Sequence, residues 1–233
     1  MPSSASIQFK ILFAGEFPVV HADLQQGHTL YAESGSLVSM SPNIDIRGQM
    51  RGGLGQSFLR KLLTGETFFF EKLTAENGPG EVILAPAPPG EVELVEMDGS
   101  VDYMVQKGGF LAATEEVKLS PKMQNLSQGL FSGAGFFVAR ISGKGTMVLT
   151  SYGAIRKHEL AAKEEYVVSN HHLVAWTAST AYETRLAAKG LITSFTSGQG
   201  FVCRFKGPGT VYTQSRSPQA LASWLSRYMP RRG

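Results

Sequence analysis

A repeated spacing of glycines constrains the fold of this chain more than any other feature of its sequence. Three Gly-x-Gly pairs lie between apolar, alternating segments, and their second glycines are 65 and 64 residues apart, at Gly80, Gly145 and Gly209. A related strand precedes each of them, at 28–40, 101–114 and 164–177. A fixed period of this kind indicates repeated structural units. The pattern therefore predicts three copies of one β unit, in which each Gly-x-Gly is the turn of a hairpin.

Units of this length cannot bury their apolar faces alone, so the three copies must share a core and cover one another's edges. We expect one all-β, barrel-like domain over residues 1–233, arranged about a pseudo-threefold axis. The repeats are predicted at about 1–97, 98–163 and 164–233. The first repeat is longer because it carries an inserted segment with one short helix.

The composition fits a folded protein of a reducing compartment. Hydrophobic residues make up 42% of the chain and charged residues 18%, which supplies a core and excludes disorder. The formal net charge of +3 is modest for a nucleic-acid binder and argues against nucleic acid as a partner. A single cysteine, Cys203, rules out an internal disulfide. Because neither a signal peptide nor a membrane-spanning run is visible, we expect a cytoplasmic location, with peripheral membrane attachment as an alternative.

The inserted segment predicts an amphipathic helix over residues 54–63. Its apolar half consists of five side chains, Leu54, Phe58, Leu59, Leu62 and Leu63. The basic Arg60 and Lys61 lie on the opposite, polar half. Such a helix is too short to be stable alone in water, where about 12–15 residues are already marginal, so it must dock. Its own barrel, a neighbouring subunit and an anionic membrane surface all stay open as docks, and we expect a homo-oligomer, a trimer or higher.

The end of the chain predicts a second helix. Ser217 fits the N-cap position and Pro218 the first helical position. Four apolar side chains then follow at helical spacing, Leu221, Trp224, Leu225 and Tyr228. This face is predicted to dock on the barrel, and the alternative is a face exposed for a partner.

The motifs that resemble active sites lack the residues that their chemistry requires. Lys144 is followed by Gly145, and no glycine stands at the first position of a phosphate-binding loop. His171 and His172 are adjacent, so on a strand they would point to opposite faces and could not share a metal ion. Cys203 has no histidine nearby in sequence and is predicted to be a core thiol. We expect a protein without catalytic residues, metal or cofactor.

Four stretches together resemble one known family. They are residues 52–70, 81–99, 132–153 and 195–218, so the likeness extends over nearly the whole chain. The most specific of them reads GGLGQSFLRKLLTGETFFF. The chain is similar to the bacterial branch of the altered-inheritance-of-mitochondria protein family. The resemblance implies a β fold related to that of the tryptophan RNA-binding attenuation protein, with internal threefold repeats, and it supplies no catalytic residues.

The favoured interpretation is a non-enzymatic β scaffold or binding protein that self-associates, and two alternatives stay open. By analogy with the attenuation-protein fold, RNA could bind a basic strand with aromatic stacking surfaces. The candidates for that contact are Arg204, Phe205, Lys206 and Tyr212. A small molecule could also bind in a barrel pocket, without any residue that the sequence singles out.

Overall fold

The computed structural model describes residues 6–50, 69–124, 136–186 and 201–229, and these form a mostly β protein, which confirms the predicted class. Within these ranges one α-helix, α1, spans Pro218–Leu225. The strands in the described ranges are β1 Gln8–Leu12, β2 Val19–Leu24, β3 Thr29–Glu33, β4 Leu37–Met40, β5 Ile44–Met50, β6 Phe69–Ala75, β7 Gly80–Leu84, β8 Val92–Asp98, β9 Tyr103–Gln106, β10 Phe110–Thr114, β11 Val117–Gln124, β12 Phe136–Thr150, β13 Ile155–Leu160, β14 Glu165–Ser169, β15 Leu173–Thr177, β16 Ala181–Leu186, β17 Phe201–Lys206 and β18 Gly209–Gln214.

These strands form three antiparallel sheets of four, eleven and three strands. The strand order is β1-β2-β7-β4 in the first sheet and β14-β17-β16 in the third. The large sheet runs β13-β18-β15-β9-β12-β10-β3-β6-β5, and β8 and β11 also pair with β12. Because β12 is 15 residues long and pairs with β8, β9, β10 and β11, it joins most of the molecule.

No sheet of the described residues closes into a barrel, so this part of the prediction is wrong. A closed barrel requires the two outermost strands of a sheet to pair with each other. The outermost strands of the large sheet, β13 and β5, are not neighbours, and neither are β1 and β4 or β14 and β16. The three sheets also differ in size, so their strand order does not by itself confirm a threefold repeat.

The Gly-x-Gly segments connect different sets of strands, and they are not the predicted hairpin turns. The strands flanking the first segment, β6 and β7, belong to different sheets, and so do β17 and β18 around the third. At the second segment β12 continues through Gly143 and Gly145, whose φ angles are 105° and 137°. Glycine adopts such angles without the strain that a Cβ would cause, which lets the strand change its partners. A Cβ on Gly145 would also overlap the Thr114 hydroxyl.

The interior is filled by large apolar side chains. Phe70 and Phe110 meet edge to face with ring centroids 5.2 Å apart, and Trp176 lies 5.7 Å from Phe205. Cys203 belongs to the same buried cluster as Trp176 and Phe205. Its burial raises the pKa of the thiol to about 12, which confirms the prediction of a core thiol.

The predicted C-terminal helix is present, but it has no buried residue against the described part of the chain. Ser217 caps α1 by accepting a hydrogen bond from the Ala220 N–H at 3.2 Å, as its position predicts. No residue of α1 is buried, and Trp224 keeps 52% of its surface exposed. The prediction of a docked face is therefore wrong for Pro218–Leu225, and the face stays open to a partner.

Candidate functional site at two outer strand edges

One scheme of strand pairing recurs in three stretches of the chain, residues 19–84, 92–150 and 155–214. The strand that follows each Gly-x-Gly segment lies between two others, giving β2-β7-β4, β8-β12-β10 and β13-β18-β15. The strand that precedes the segment also lies between two others, giving β3-β6-β5, β9-β12-β11 and β14-β17-β16. β12 appears in both series because the second Gly-x-Gly lies inside it.

The same local details mark the corresponding strands β4, β10 and β15. Each contains a bulge in its pairing, at Leu37–Ser39, Phe110–Ala112 and Leu173–Ala175. At or just after the end of each strand, a hydroxyl accepts a hydrogen bond from the backbone N–H that follows Gly-x-Gly. These acceptors are Ser41 from Glu81 at 3.0 Å, Thr114 from Thr146 at 3.2 Å and Thr177 from Thr210 at 2.9 Å. The three strands can therefore be compared residue by residue.

Two of these three strands pair with a strand of the preceding stretch, and we call the two contacts the internal junctions. At the first junction β10 pairs with β3, and at the second β15 pairs with β9. The two registers correspond, with Ala112–Ala32, Ala113–Tyr31 and Thr114–Leu30 in the first and Ala175–Val105, Trp176–Met104 and Thr177–Tyr103 in the second. Side chains at the junctions are buried, since Leu111 on β10 is 0% exposed and Met104 on β9 is 5% exposed.

A second correspondence links β9 with β14. In each strand one residue lies opposite an arginine. That arginine donates a hydrogen bond to the acidic residue that stands two positions before the strand residue. The two sets are Met104, Arg140 and Asp102, with a bond of 2.8 Å, and Val167, Arg204 and Glu165, with a bond of 2.7 Å. Met104 and Val167 therefore occupy the same position in their stretches.

β4 corresponds to β10 and β15, and β14 corresponds to β3 and β9. At the internal junctions those strands pair with a strand of another stretch, but β4 and β14 have no described strand on that side. β4 is one of the two outer strands of the four-stranded sheet, and β14 is one of the two outer strands of the three-stranded sheet. Val38 corresponds to the buried Leu111 but is 59% exposed, and Val167 corresponds to the buried Met104 but is 54% exposed. We call residues 37–41 the β4 edge and residues 165–169 the β14 edge, and together they form the candidate site.

Both edges carry little that would prevent pairing with another strand. Proteins commonly protect exposed edge strands with charged side chains or proline. The β4 edge reads LVSMS and the β14 edge reads EYVVS, so the centres of both are uncharged. Glu165 stands at the start of the β14 edge, where Arg204 holds it. The bulge of β4 is no obstacle either, because β10 and β15 have the same bulge and are paired on both sides.

The predicted helix of residues 54–63 lies outside the described residues. Its seven named side chains are Leu54, Phe58, Leu59, Leu62, Leu63, Arg60 and Lys61. Their contact with a subunit, a membrane or the same chain therefore stays a prediction.

The predicted RNA contact needs a correction, because its two aromatic rings are not accessible. Phe205 and Tyr212 are both buried in the core, so neither ring can stack on a base. Arg204 is paired with Glu165, and Lys206 is exposed at the end of β17. The alternation of a strand explains the result, since Phe205 shares a face with the buried Cys203.

A cavity of about 700 Å³ lies between β1, β8 and the end of β10. Its lining includes Phe9, Glu96, Glu115, Glu116 and Lys144. Three carboxylates beside one lysine give its polar part an acidic character. The cavity is large enough for a small molecule, since ligand pockets usually measure about 300–1,000 Å³.

The described residues offer little for metal binding. In those ranges no group of three or more His, Cys, Asp or Glu side chains is placed to hold a metal ion. His171 and His172 lie in a 3-10 turn, Asn170–His172, and not in a strand, and the His172 Nδ1 lies 2.8 Å from the Gln214 carbonyl oxygen. Nor does any helix in the described part of the chain have the length and apolar character needed to cross a membrane.

The two edges are not indicated by any pattern in the sequence. Their strands lie in or beside the related segments 28–40 and 164–177, but Val38 and Val167 have the residue type of core positions. An alignment of the segments on Ser41, Thr114 and Thr177 would have placed Val38 beside Leu111. The exposure of these two side chains depends on whether another strand lies beside them, and the local sequence does not indicate that.

Comparisons with known proteins agree with the fold. The family model described as mitochondrial biogenesis AIM24 matches residues 9–216. An uncharacterised protein of Streptococcus pyogenes serotype M6 is 32% identical over 232 residues, covering 96% of this chain and 92% of that protein. A crystal structure of a Streptococcus pyogenes protein has a TM-score of 0.81 at 31% identity, covering 96% of this chain and 100% of that one. The altered inheritance of mitochondria protein 24 of Talaromyces stipitatus is 26% identical over 181 residues, which are 76% of this chain and 42% of that protein. As its sequence stretches predict, the chain belongs to the mitochondrial biogenesis AIM24 family.

Proposed function

We propose that this chain is a non-enzymatic β scaffold of three similar units, and that it self-associates through its β4 and β14 edges. The observation that carries the proposal is the difference in burial between corresponding residues. Val38 and Val167 are exposed, whereas Leu111 and Met104 are buried by a neighbouring strand. A second copy placed against either edge would supply the neighbour that the scheme of pairing provides elsewhere.

The sizes of the three sheets support this proposal. The eleven-stranded sheet consists of two six-stranded sheets that share β12, namely β8-β12-β10-β3-β6-β5 and β13-β18-β15-β9-β12-β11. Each of them joins three strands of one stretch to three strands of the preceding stretch. By the same scheme, β2-β7-β4 and β14-β17-β16 are the two halves of a third six-stranded sheet. Self-association would bring these halves together.

The energetics require more contact than the valines alone. Each buried Val or Met side chain contributes about 1.5–3 kcal/mol. Association costs on the order of 4–15 kcal/mol in lost freedom of movement, so strand hydrogen bonds and further apolar surface must contribute. α1 supplies such surface near the β14 edge, because Gln214, three residues before its cap, donates a hydrogen bond of 3.0 Å to the His171 carbonyl in the turn that follows β14.

Light scattering tests the proposal. We expect the wild-type mass to be a multiple of 25.2 kDa, and the Val38→Lys/Val167→Lys variant to have the monomer mass with an unchanged circular dichroism spectrum. Val101→Lys is the matched control, because Val101 is also an exposed valine and belongs to neither edge. A monomeric wild type, or a double variant that keeps the wild-type mass, would reject the proposal.

We also propose residues 54–63 as a further contact, to a neighbouring subunit or to an anionic membrane surface. The support is the amphipathic pattern of the segment, with Phe58 on its apolar side and Arg60 and Lys61 on its basic side. Phe58→Asp separates the two docks. A lower solution mass would assign the segment to a subunit contact, and weaker binding to anionic liposomes at unchanged mass would assign it to a membrane. No change in either quantity would reject both.

A second candidate function is the binding of a small molecule in the cavity beside β1. The observation that favours it is the volume of the cavity, and its carboxylates Glu96, Glu115 and Glu116 favour a cationic ligand such as a diamine. Calorimetric titration with putrescine is the test, with Glu96→Gln/Glu116→Gln as the variant that should lose the heat of binding. Equal heats for the wild type and the variant would reject this site.

A further inference from the structure

We infer that the β4 edge of one copy pairs antiparallel with the β14 edge of a second copy, with Met40 directly opposite Val167. This inference rests on the proposed self-association and specifies its partner, its direction and its register. The occupant of each edge is the other edge of an identical chain. The contact therefore continues the internal junctions from one molecule to the next.

The register follows from the two internal junctions. In the first junction Thr114 lies opposite Leu30, the residue before Tyr31. In the second junction Thr177 lies opposite Tyr103, the residue before Met104. On the β4 edge the corresponding hydroxyl residue is Ser41. Because Val167 corresponds to Met104, the position before it is Tyr166. The expected ladder is Ser39–Val168, Met40–Val167 and Ser41–Tyr166.

The side chains of this ladder are compatible with burial. The middle pair of each internal junction is apolar or aromatic, Ala113–Tyr31 in one and Trp176–Met104 in the other. Met40–Val167 has the same character, and no two like charges lie opposite each other in the ladder. Apolar pairs of this kind stabilise neighbouring strands.

One feature of the second internal junction is missing from the new ladder. At the second junction the Ala178 N–H donates a hydrogen bond to the Asp102 carbonyl at 2.7 Å. The residue that follows Ser41 is Pro42, which has no N–H to donate. The ladder between copies therefore ends at Ser41 and is one hydrogen bond shorter. We expect this contact to be weaker than an internal junction.

A contact between two different edges is head-to-tail. Each added copy leaves one β4 edge and one β14 edge unpaired until the assembly closes on itself. Contacts between like edges, β4 with β4 or β14 with β14, would instead stop at a symmetric dimer. The two arrangements respond differently when one edge of a copy is blocked.

Complementary blocking tests the direction. Val38→Lys blocks the β4 edge and Val167→Lys blocks the β14 edge, so each variant alone should be a monomer. Their mixture should form a dimer, because one intact edge of each kind remains. A variant that dimerises alone would overturn the head-to-tail contact. If the mixture stays monomeric while the wild type is oligomeric, this inference is wrong and the proposed self-association stands.

Cysteine cross-linking tests the register. Met40→Cys in one chain and Val167→Cys in another should form a disulfide-linked dimer on mild oxidation, since directly opposite residues lie within disulfide reach. Met40→Cys with Ser169→Cys is the matched control, because a shift of two residues places the pair about 7–8 Å apart, beyond that reach. A cross-link in the control pair, or in neither pair of an assembled protein, would overturn the register. A monomeric wild type would overturn the proposed function as well.

Discussion

The internal junctions and the outer edges consist of corresponding residues, but only the junctions bury them. Leu111 and Val38 both occupy the bulge of their strand, and Met104 and Val167 both lie opposite an arginine. All four side chains are apolar, so residue type does not explain the difference in exposure. The difference lies in whether another strand is adjacent. Burial at these positions thus depends on a neighbouring strand, and in the proposed self-association a second copy would supply that strand.

The largest expected effect is on stability, at the two bulge positions. Leu111→Ala should lower the free energy of unfolding by about 2–5 kcal/mol, because it leaves a cavity at a fully buried site. Val38→Ala should change it by less than about 0.5 kcal/mol, because the side chain is exposed in the single chain. Urea denaturation in a Val167→Lys background, where association is blocked, measures both.

The same pair of variants can break the comparison. If Val38→Ala costs as much as Leu111→Ala in the monomer, the β4 edge is covered within one chain and cannot serve as a docking strand. Ile46, another exposed apolar residue on a strand outside both edges, gives the matched control as Ile46→Ala.

A smaller effect is expected at the corresponding hydroxyl groups. Thr114→Val keeps the shape of the side chain but leaves the buried Thr146 N–H without its acceptor, which should cost about 1–3 kcal/mol. Ser41→Ala removes the acceptor of the Glu81 N–H, which is exposed to water, so its cost should be about 0.5–1 kcal/mol. Urea denaturation of both variants in the Val167→Lys background measures the two losses in the free energy of unfolding. Equal losses would mean that the junction and the edge do not differ at this position.

Local signals in the sequence predicted the parts of the fold that depend on neighbours in the chain. The cap at Ser217, the helix that follows it and the core position of Cys203 are all encoded within a few residues. The hairpin turns predicted at the Gly-x-Gly segments are wrong, because a hairpin turn and a crossing between strand sets both use glycines with positive φ. Only the partners of β6, β7, β17 and β18 distinguish the two, and those partners are distant in sequence.

The candidate site was harder to predict than the fold for a related reason. Phe205 and Tyr212 were proposed as stacking surfaces because basic residues stand near them, yet the pattern does not show which face of the strand is covered. Val38 and Val167 carry no such signal in the sequence, because a valine within an apolar strand is usually buried. Their exposure results from their position on strands at the ends of sheets, which the local sequence does not indicate.

The pH dependence of stability tests whether water reaches the buried side chains next to the β14 edge. Cys203 lies opposite Val168, directly behind that edge, and burial raises the pKa of its thiol to about 12. Since the folded-state pKa is above the unfolded value near 8.5, the protonated thiol stabilises the fold below that pH and the contribution is lost as the pH rises. Between pH 8.5 and 10.5 we expect the wild type to lose about 1.4 kcal/mol per pH unit relative to Cys203→Ala. Equal slopes in denaturation experiments would mean that water reaches the face behind the edge.

The smallest effect on the single chain is expected in α1. Trp224→Ala should change the free energy of unfolding of the monomer by less than about 0.5 kcal/mol, because half of the side chain is exposed and no residue of the helix is buried. In the assembled wild type the same change should shift dissociation to higher protein concentration, because α1 begins beside the β14 edge, where the next copy would lie. Light scattering over a dilution series measures the shift, and Arg227→Ala, on the exposed turn after the helix, is the control. If Trp224→Ala leaves both quantities unchanged, the contact between copies is confined to the strands, and the missing hydrogen bond at Pro42 must be offset by other residues of the two edges.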